Sequence, residues 1–76
     1  MPLFYFDFTQ NDVAHPDGVG QELQDITVAK REAVKALAEI AAEEIPRDGK
    51  LVLAVTLYDE DREVRFSAKL TFEPAV

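Results

Sequence analysis

From Leu51 to Phe72 apolar and polar positions alternate in two runs, separated by the acidic stretch Asp59-Glu60-Asp61-Arg62. Leu51, Leu53, Val55 and Leu57 fall on one side of the first run, with Val52, Ala54, Thr56 and Tyr58 on the other. In the second, Val64, Phe66, Ala68, Leu70 and Phe72 alternate with Arg65, Ser67, Lys69 and Thr71. A strict period of two predicts an antiparallel hairpin with one buried face and one wet face. The same alternation near the start, Phe4, Phe6 and Phe8 against Leu3, Tyr5 and Asp7, predicts a strand over Leu3–Phe8 rich in aromatics that suit a half-buried pleated surface. Thr9-Gln10-Asn11-Asp12 reads as a turn and Val13-Ala14-His15 as a short return strand, which Pro16 confines to a sheet edge. Asp17 to Leu23 reads as a loop, with Gly18 and Gly20 expected at positive φ.

The middle of the chain changes period. Ile26, Ala29, Ala33, Leu37, Ile40 and Ala41 recur at spacings of three and four, the stripe of an amphipathic helix. Asp25 is the expected N-cap, with Thr27 as the alternative, and Pro46 the expected stop before Arg47-Asp48-Gly49-Lys50 turns the chain. The alanines let the helix approach a sheet closely. Lys30 and Arg31 near its start and Glu43 and Glu44 near its end all oppose the helix dipole. The pattern therefore predicts an α+β fold: a three- to four-stranded antiparallel sheet with one helix packed on one face, in the order β-β-α-β-β. Residues 1–76 are expected to form a single domain. Its core is expected to hold Phe4, Phe6, Phe8, Ile26, Ala29, Ala33, Leu37, Ile40, Leu51, Leu53, Val55, Leu57, Val64, Phe66, Leu70 and Phe72.

Size sharpens that picture. A chain of 76 residues without cysteine has neither disulfide nor thiolate metal site to support a small core. Such a core supplies about 3–5 kcal/mol, so self-association is expected. Fifteen acids against eight bases give a net charge of −7, which repels phosphate backbones and anionic membrane surfaces. Neither nucleic acid nor membrane is expected as a partner. The opening Met1-Pro2-Leu3-Phe4-Tyr5-Phe6-Asp7 lacks the basic residues of a signal or transit peptide, and a cytoplasmic location is expected.

Several segments resemble a group of short bacterial proteins, common in rhizobia and related alphaproteobacteria, that constitutes a domain of unknown function. The opening is similar to its M-P-x-[YF]-[YF]-F-D start, and Asp17-x-x-Gly20-x-Glu22-Leu23 resembles its D-x-x-G-x-E-L loop. Ala29-x-x-Glu32-Ala33 resembles its A-x-x-E-A helix start, and Val55-Thr56-Leu57-Tyr58-Asp59-Glu60 its V-x-[VL]-x-D-E hairpin. The segments occur in the family's order over nearly the whole chain. The family often has glycine after the acidic pair, where this chain has Asp61-Arg62. The resemblance implies a fold and a bacterial origin, without a mechanism. A fainter similarity, strands followed by a loop and a helix opening with A-x-x-E-A, links the chain to small antitoxins of the HicB type, which block a ribonuclease partner. The aromatic-proline-aspartate start of their loop is absent.

No arrangement of residues amounts to an active site, and no catalytic residue, metal ligand or cofactor is predicted. His15, the single histidine, has only Asp12 and Asp17 nearby in sequence, the sparse basis for a small metal-dependent enzyme. Asp59-Glu60-Asp61 with Glu63 lacks the glycine of a cation loop and reads as a solvated turn. Gly18 and Gly20 have Glu22 and Asp25 between them and the helix, which would repel phosphate. Ser67, the single serine, has no histidine placed to serve it. The wet face of the sheet is left. Leu3, Tyr5, Val52, Ala54, Tyr58, Arg65 and Lys69 form its candidate interaction surface, half apolar and half polar as protein interfaces are. The expectation is a non-enzymatic protein-interaction module, homodimeric through that face. The alternatives are an antitoxin-like inhibitor of a small ribonuclease and the metal-dependent enzyme.

Overall fold

The computed structural model describes residues 1–44 and 49–74. Its elements run β1 (Leu3–Gln10), β2 (Val13–His15), β3 (Gln21–Glu22), α1 (Ile26–Glu44), β4 (Leu51–Tyr58) and β5 (Val64–Phe72). The strands form one antiparallel sheet in the order β2-β1-β4-β5, with β3 on the same edge of β1 as β2. The α+β fold expected from the alternation is the observed one.

The core lies between α1 and one face of the sheet. Leu51, Leu53, Val55 and Leu57 of β4 are buried beneath Ala29, Ala33, Leu37 and Ala41, with Phe4 and Phe6 of β1 beside them. Ala29 and Ala33 have no exposed surface, so the helix rides low over the central strand. Asp25 is the N-cap: its Oδ1 accepts the Val28 N–H at 2.9 Å, and its carbonyl accepts that of Ala29. Of the charges that oppose the dipole, Lys30 stands over the Phe66 ring, Nζ 5.7 Å from the centroid. The expected stop at Pro46 and most of the following turn lie outside the described residues.

The structure corrects the sequence reading in four places. Thr9 and Gln10 belong to β1, and the turn is only Asn11-Asp12, both at positive φ (46° and 71°), as a two-residue hairpin connection requires. Asn11 also donates its N–H to the Val52 carbonyl and accepts the Val52 N–H on Oδ1, extending the β1–β4 ladder. The Asp17–Leu23 loop contains the short strand β3, which pairs Leu3 with Glu22 and Phe4 with Gln21. Only Gly20 and not Gly18 takes positive φ.

The fourth correction concerns the core. Val64 is 61% exposed and Leu70 39%. The register shifts at Leu57/Tyr58, so Phe66 opposes Leu57 but Val64, not Arg65, opposes Tyr58. One extra residue in β5 turns Val64 to the face of Tyr58, away from the helix. Leu70 does oppose the buried Leu53, but α1 packs chiefly across β4 and leaves this edge-strand row partly open.

Candidate functional site

The resemblance motifs converge on one end of β1. Between the short pairings with β3 and β2, the outer edge of β1 is open at Tyr5–Asp7, and Asp17 closes it. Its Oδ2 accepts the Phe6 N–H at 3.1 Å, while Oδ1 accepts those of Val19 (3.1 Å) and Gly20 (3.0 Å). The Asp17 N–H in turn donates to Asp7 Oδ1 at 2.9 Å. Burial raises the Asp17 pKa, but the hydrogen bonds from Gly20, Phe6 and Val19 and the positive Arg62 outweigh it, holding the carboxyl below its ordinary value of 3.8. Gly20 has φ +81°, and a Cβ there would stand 3.0 Å from both Leu3 Cδ1 and Tyr5 Cε1. Only glycine meets both demands without strain. Leu23 then donates its N–H to the Pro2 carbonyl and packs against the core. The loop is a cover for the edge of β1.

The acidic tip of the β4–β5 hairpin is similarly occupied. Asp59 Oδ1 accepts the N–H groups of Asp61 (2.9 Å) and Glu63 (3.0 Å), and Oδ2 meets Arg65 Nη1 at 3.3 Å. The Glu63 N–H is the chief cause of its depressed pKa. Burial opposes the shift, and the Asp61 N–H and Arg65 add to it. Glu60 Oε1 accepts the Leu3 N–H at 2.8 Å. Arg62 takes φ +63°, the left-handed conformation that glycine adopts freely. Its guanidinium lies 3.7 Å from the Tyr5 ring centroid, and Nη2 donates to the Asp17 carbonyl at 3.2 Å. A hollow of about 250 Å³ beside this tip is lined in part by Phe4, Ile26, Asp59 and Glu60. Oxygens of both acids already hold backbone N–H groups of the turn and of β1. His15 is exposed at the end of β2, opposite Phe8. Among the described residues no three His, Cys, Asp or Glu side chains stand together as a metal site.

The sheet face away from α1 carries the candidate interaction residues in cross-strand rows. Tyr5, Tyr58 and Val64 form one row, Asp7, Thr56 and Ser67 the next, and Thr9, Ala54 and Lys69 a third, with Val52 beside Thr71 beyond. Leu3 and Tyr5 are partly covered, by Gly20 and, for Tyr5, by Arg62. Arg65 is turned to Asp59. Val52, Ala54 and Tyr58 are half-buried on the central strand, with no element across them among the described residues. Val64 belongs to this face too. It was hidden in the sequence because a bulge leaves the alternation of residue types unbroken. Arg62 was missed because its residue type does not itself mark a positive φ.

Residues 3–71 match the family model described as Domain of unknown function (DUF6894). The chain belongs to that family. No curated protein and no solved structure matches it. Several residues of the segments that suggested a resemblance serve the fold. Phe4, Phe6, Val55 and Leu57 fill the core, Ala29 and Ala33 admit the helix, and Asp7, Asp17, Asp59 and Glu60 hold backbone N–H groups. No helix among the described residues is long and apolar enough to cross a membrane.

Proposed function

We propose that this DUF6894 protein is a non-enzymatic interaction module that binds a second copy of itself through the helix-free sheet face around Tyr58. The observation that carries the reading is the β4 row Val52, Ala54, Thr56 and Tyr58. It is uncharged, central and, among the described residues, covered by no other element. Around it the paired positions of β1 and β5 add one acid, Asp7, and one base, Lys69. The excess acid of a chain at −7 therefore lies elsewhere, and two such faces meet without strong like-charge repulsion. Tyrosine suits such a contact, since it offers large area with a polar tip. The motif resemblance supports an alphaproteobacterial origin, and the acidic, cysteine-free composition a cytoplasmic location. The test is Tyr58→Glu, with solution mass measured by sedimentation. A lower mass at matched concentration supports the face as the contact, and an unchanged mass removes it.

A further inference from the structure

The two edges of the sheet are treated differently. The β1 edge is closed by β2, by the Asp17 carboxylate and by β3, whereas the nine-residue β5, among the described residues, pairs with β4 alone. Which β5 groups are free follows from the ladder. The Phe6 N–H points away from β4, to Asp17, so Tyr5, Asp7 and Thr9 direct theirs toward β4. Val52 exchanges bonds with Asn11, which places the main-chain groups of Val52, Ala54, Thr56 and Tyr58 on the β1 side. Leu51, Leu53, Val55 and Leu57 therefore bond to Phe72, Leu70, Ala68 and Phe66 of β5. Ser67, Lys69 and Thr71 are left with N–H and C=O directed outward. Their side chains lie on the helix-free face, and all three residues are exposed.

Charge marks the same edge. The chain carries −7 overall, yet β5 holds Arg65 and Lys69 and no acid. Arg65 is already turned to Asp59. Lys69 shares its cross-strand row with Ala54 and Thr9, which give it no counter-charge. On the helix side Lys30 stands over Phe66, and Val34 and Ala38 follow it at intervals of four, so an acid-free row of α1 runs beside the strand. Val34 is 50% exposed and Leu70 39%, which leaves apolar surface open along this edge. An unpaired strand of this length without an interior proline is a template for another strand. We propose that β5 accepts an extended acidic segment of another protein as an added strand. Main-chain bonds to Ser67, Lys69 and Thr71 hold it. The side chains of the added strand alternate between the two faces. Those opposite Ser67, Lys69 and Thr71 fall on the helix-free face, where an acid meets Lys69. Those between them fall on the helix side, where apolar groups meet Leu70 and the exposed Val34. The segment recognised is therefore one in which acidic residues alternate with apolar ones. An added strand widens the sheet and leaves the central row at Tyr58 uncovered, so the inference stands without the contact proposed there.

The test is titration of the full chain with blocked synthetic peptides the length of β5, followed by amide NMR. One peptide alternates valine with glutamate, a second alternates valine with lysine, and a third keeps the composition of the first without its alternation. The first is expected to bind and to move the amide signals of Ser67, Lys69 and Thr71, and the other two to bind roughly tenfold more weakly or less. Lys69→Glu turns an attraction into a repulsion, so it weakens the glutamate peptide by roughly tenfold in Kd and tightens the lysine peptide. Lys69→Pro removes only an outward N–H, keeps the β4 ladder, and leaves the melt close to that of the parent while abolishing the binding. Tyr58→Glu separates the two surfaces, since it lowers the solution mass and leaves peptide binding unchanged. A glutamate peptide that does not bind, equal binding of the lysine or the non-alternating peptide, or a Lys69→Pro chain that still binds would each overturn the proposal. Signals of Ser67, Lys69 and Thr71 that move with the chain's own concentration, and not with peptide, would assign the edge to a second copy and overturn it too.

Discussion

Asp17→Asn is the substitution that most sharply probes how the edge of β1 is held. The carboxylate accepts N–H groups from Phe6, Val19 and Gly20 at 3.0–3.1 Å with both oxygens. An amide keeps one acceptor oxygen. Whichever way it turns, its NH₂ faces an N–H it cannot accept. Hydrogen bonds to charged groups contribute about 1.5–3 kcal/mol, and less where water competes, as it does around Val19. A loss of about 2 kcal/mol follows, or about 8–16 °C in Tm for a domain of this size. The pH dependence carries the same signature. The folded pKa of Asp17 lies below its unfolded value near 3.8, so its contribution is full above 3.8 and disappears as pH falls through the lower folded pKa. The gap between parent and variant is therefore widest at neutral pH and narrows below about pH 4. Asp59, also depressed, leaves some acid sensitivity in the variant. Urea melts at several pH values, with amide exchange followed at Phe6, read all of this. A variant as stable as the parent at pH 7, with an equally protected Phe6 amide, would refute the edge-closing role.

Three further substitutions probe other parts of the fold. Leu37→Ala empties the one large helical side chain buried over β4 and costs about 2–5 kcal/mol, enough to unfold much of the population in a thermal melt. Gly20→Ala combines φ +81° with a Cβ 3.0 Å from Leu3 and Tyr5, and a loss of about 1–3 kcal/mol is expected in urea. At Arg62, alanine keeps the positive φ but loses the contact with Tyr5, whereas glycine relieves the strain as it loses that contact. Arg62→Gly is therefore expected to melt above Arg62→Ala, by about 1 kcal/mol in stability, and the reverse order would contradict the strain assigned there.

The parts of this fold legible in the sequence are those with a period. Alternation over Leu51–Tyr58 and the stripe from Ile26 to Ala41 fixed the sheet, the helix and the face each buries. Alternation names a face but not how far the helix reaches across it, which is why Leu70 was placed in the core and is found open. Two residues of β3 have no period to detect, and the bulge that turns Val64 outward leaves no mark in the order of residue types. The roles of Asp17 and Asp59 were hidden for another reason. A carboxylate that accepts distant backbone N–H groups looks, in sequence, like any solvated loop acid. Alternation alone places nearly all of the candidate face, and the structure adds that Leu3 and Tyr5 already have cover while, among the described residues, no element lies across Tyr58.

The most direct test of the account is the solution mass of the parent chain and of Tyr58→Glu, measured by sedimentation at matched concentrations with melts confirming that both are folded. The parent's mass is expected to exceed that of the 8.5 kDa monomer and to fall on substitution. A parent that remains at 8.5 kDa, or a mass unmoved by the charge at Tyr58, would contradict it.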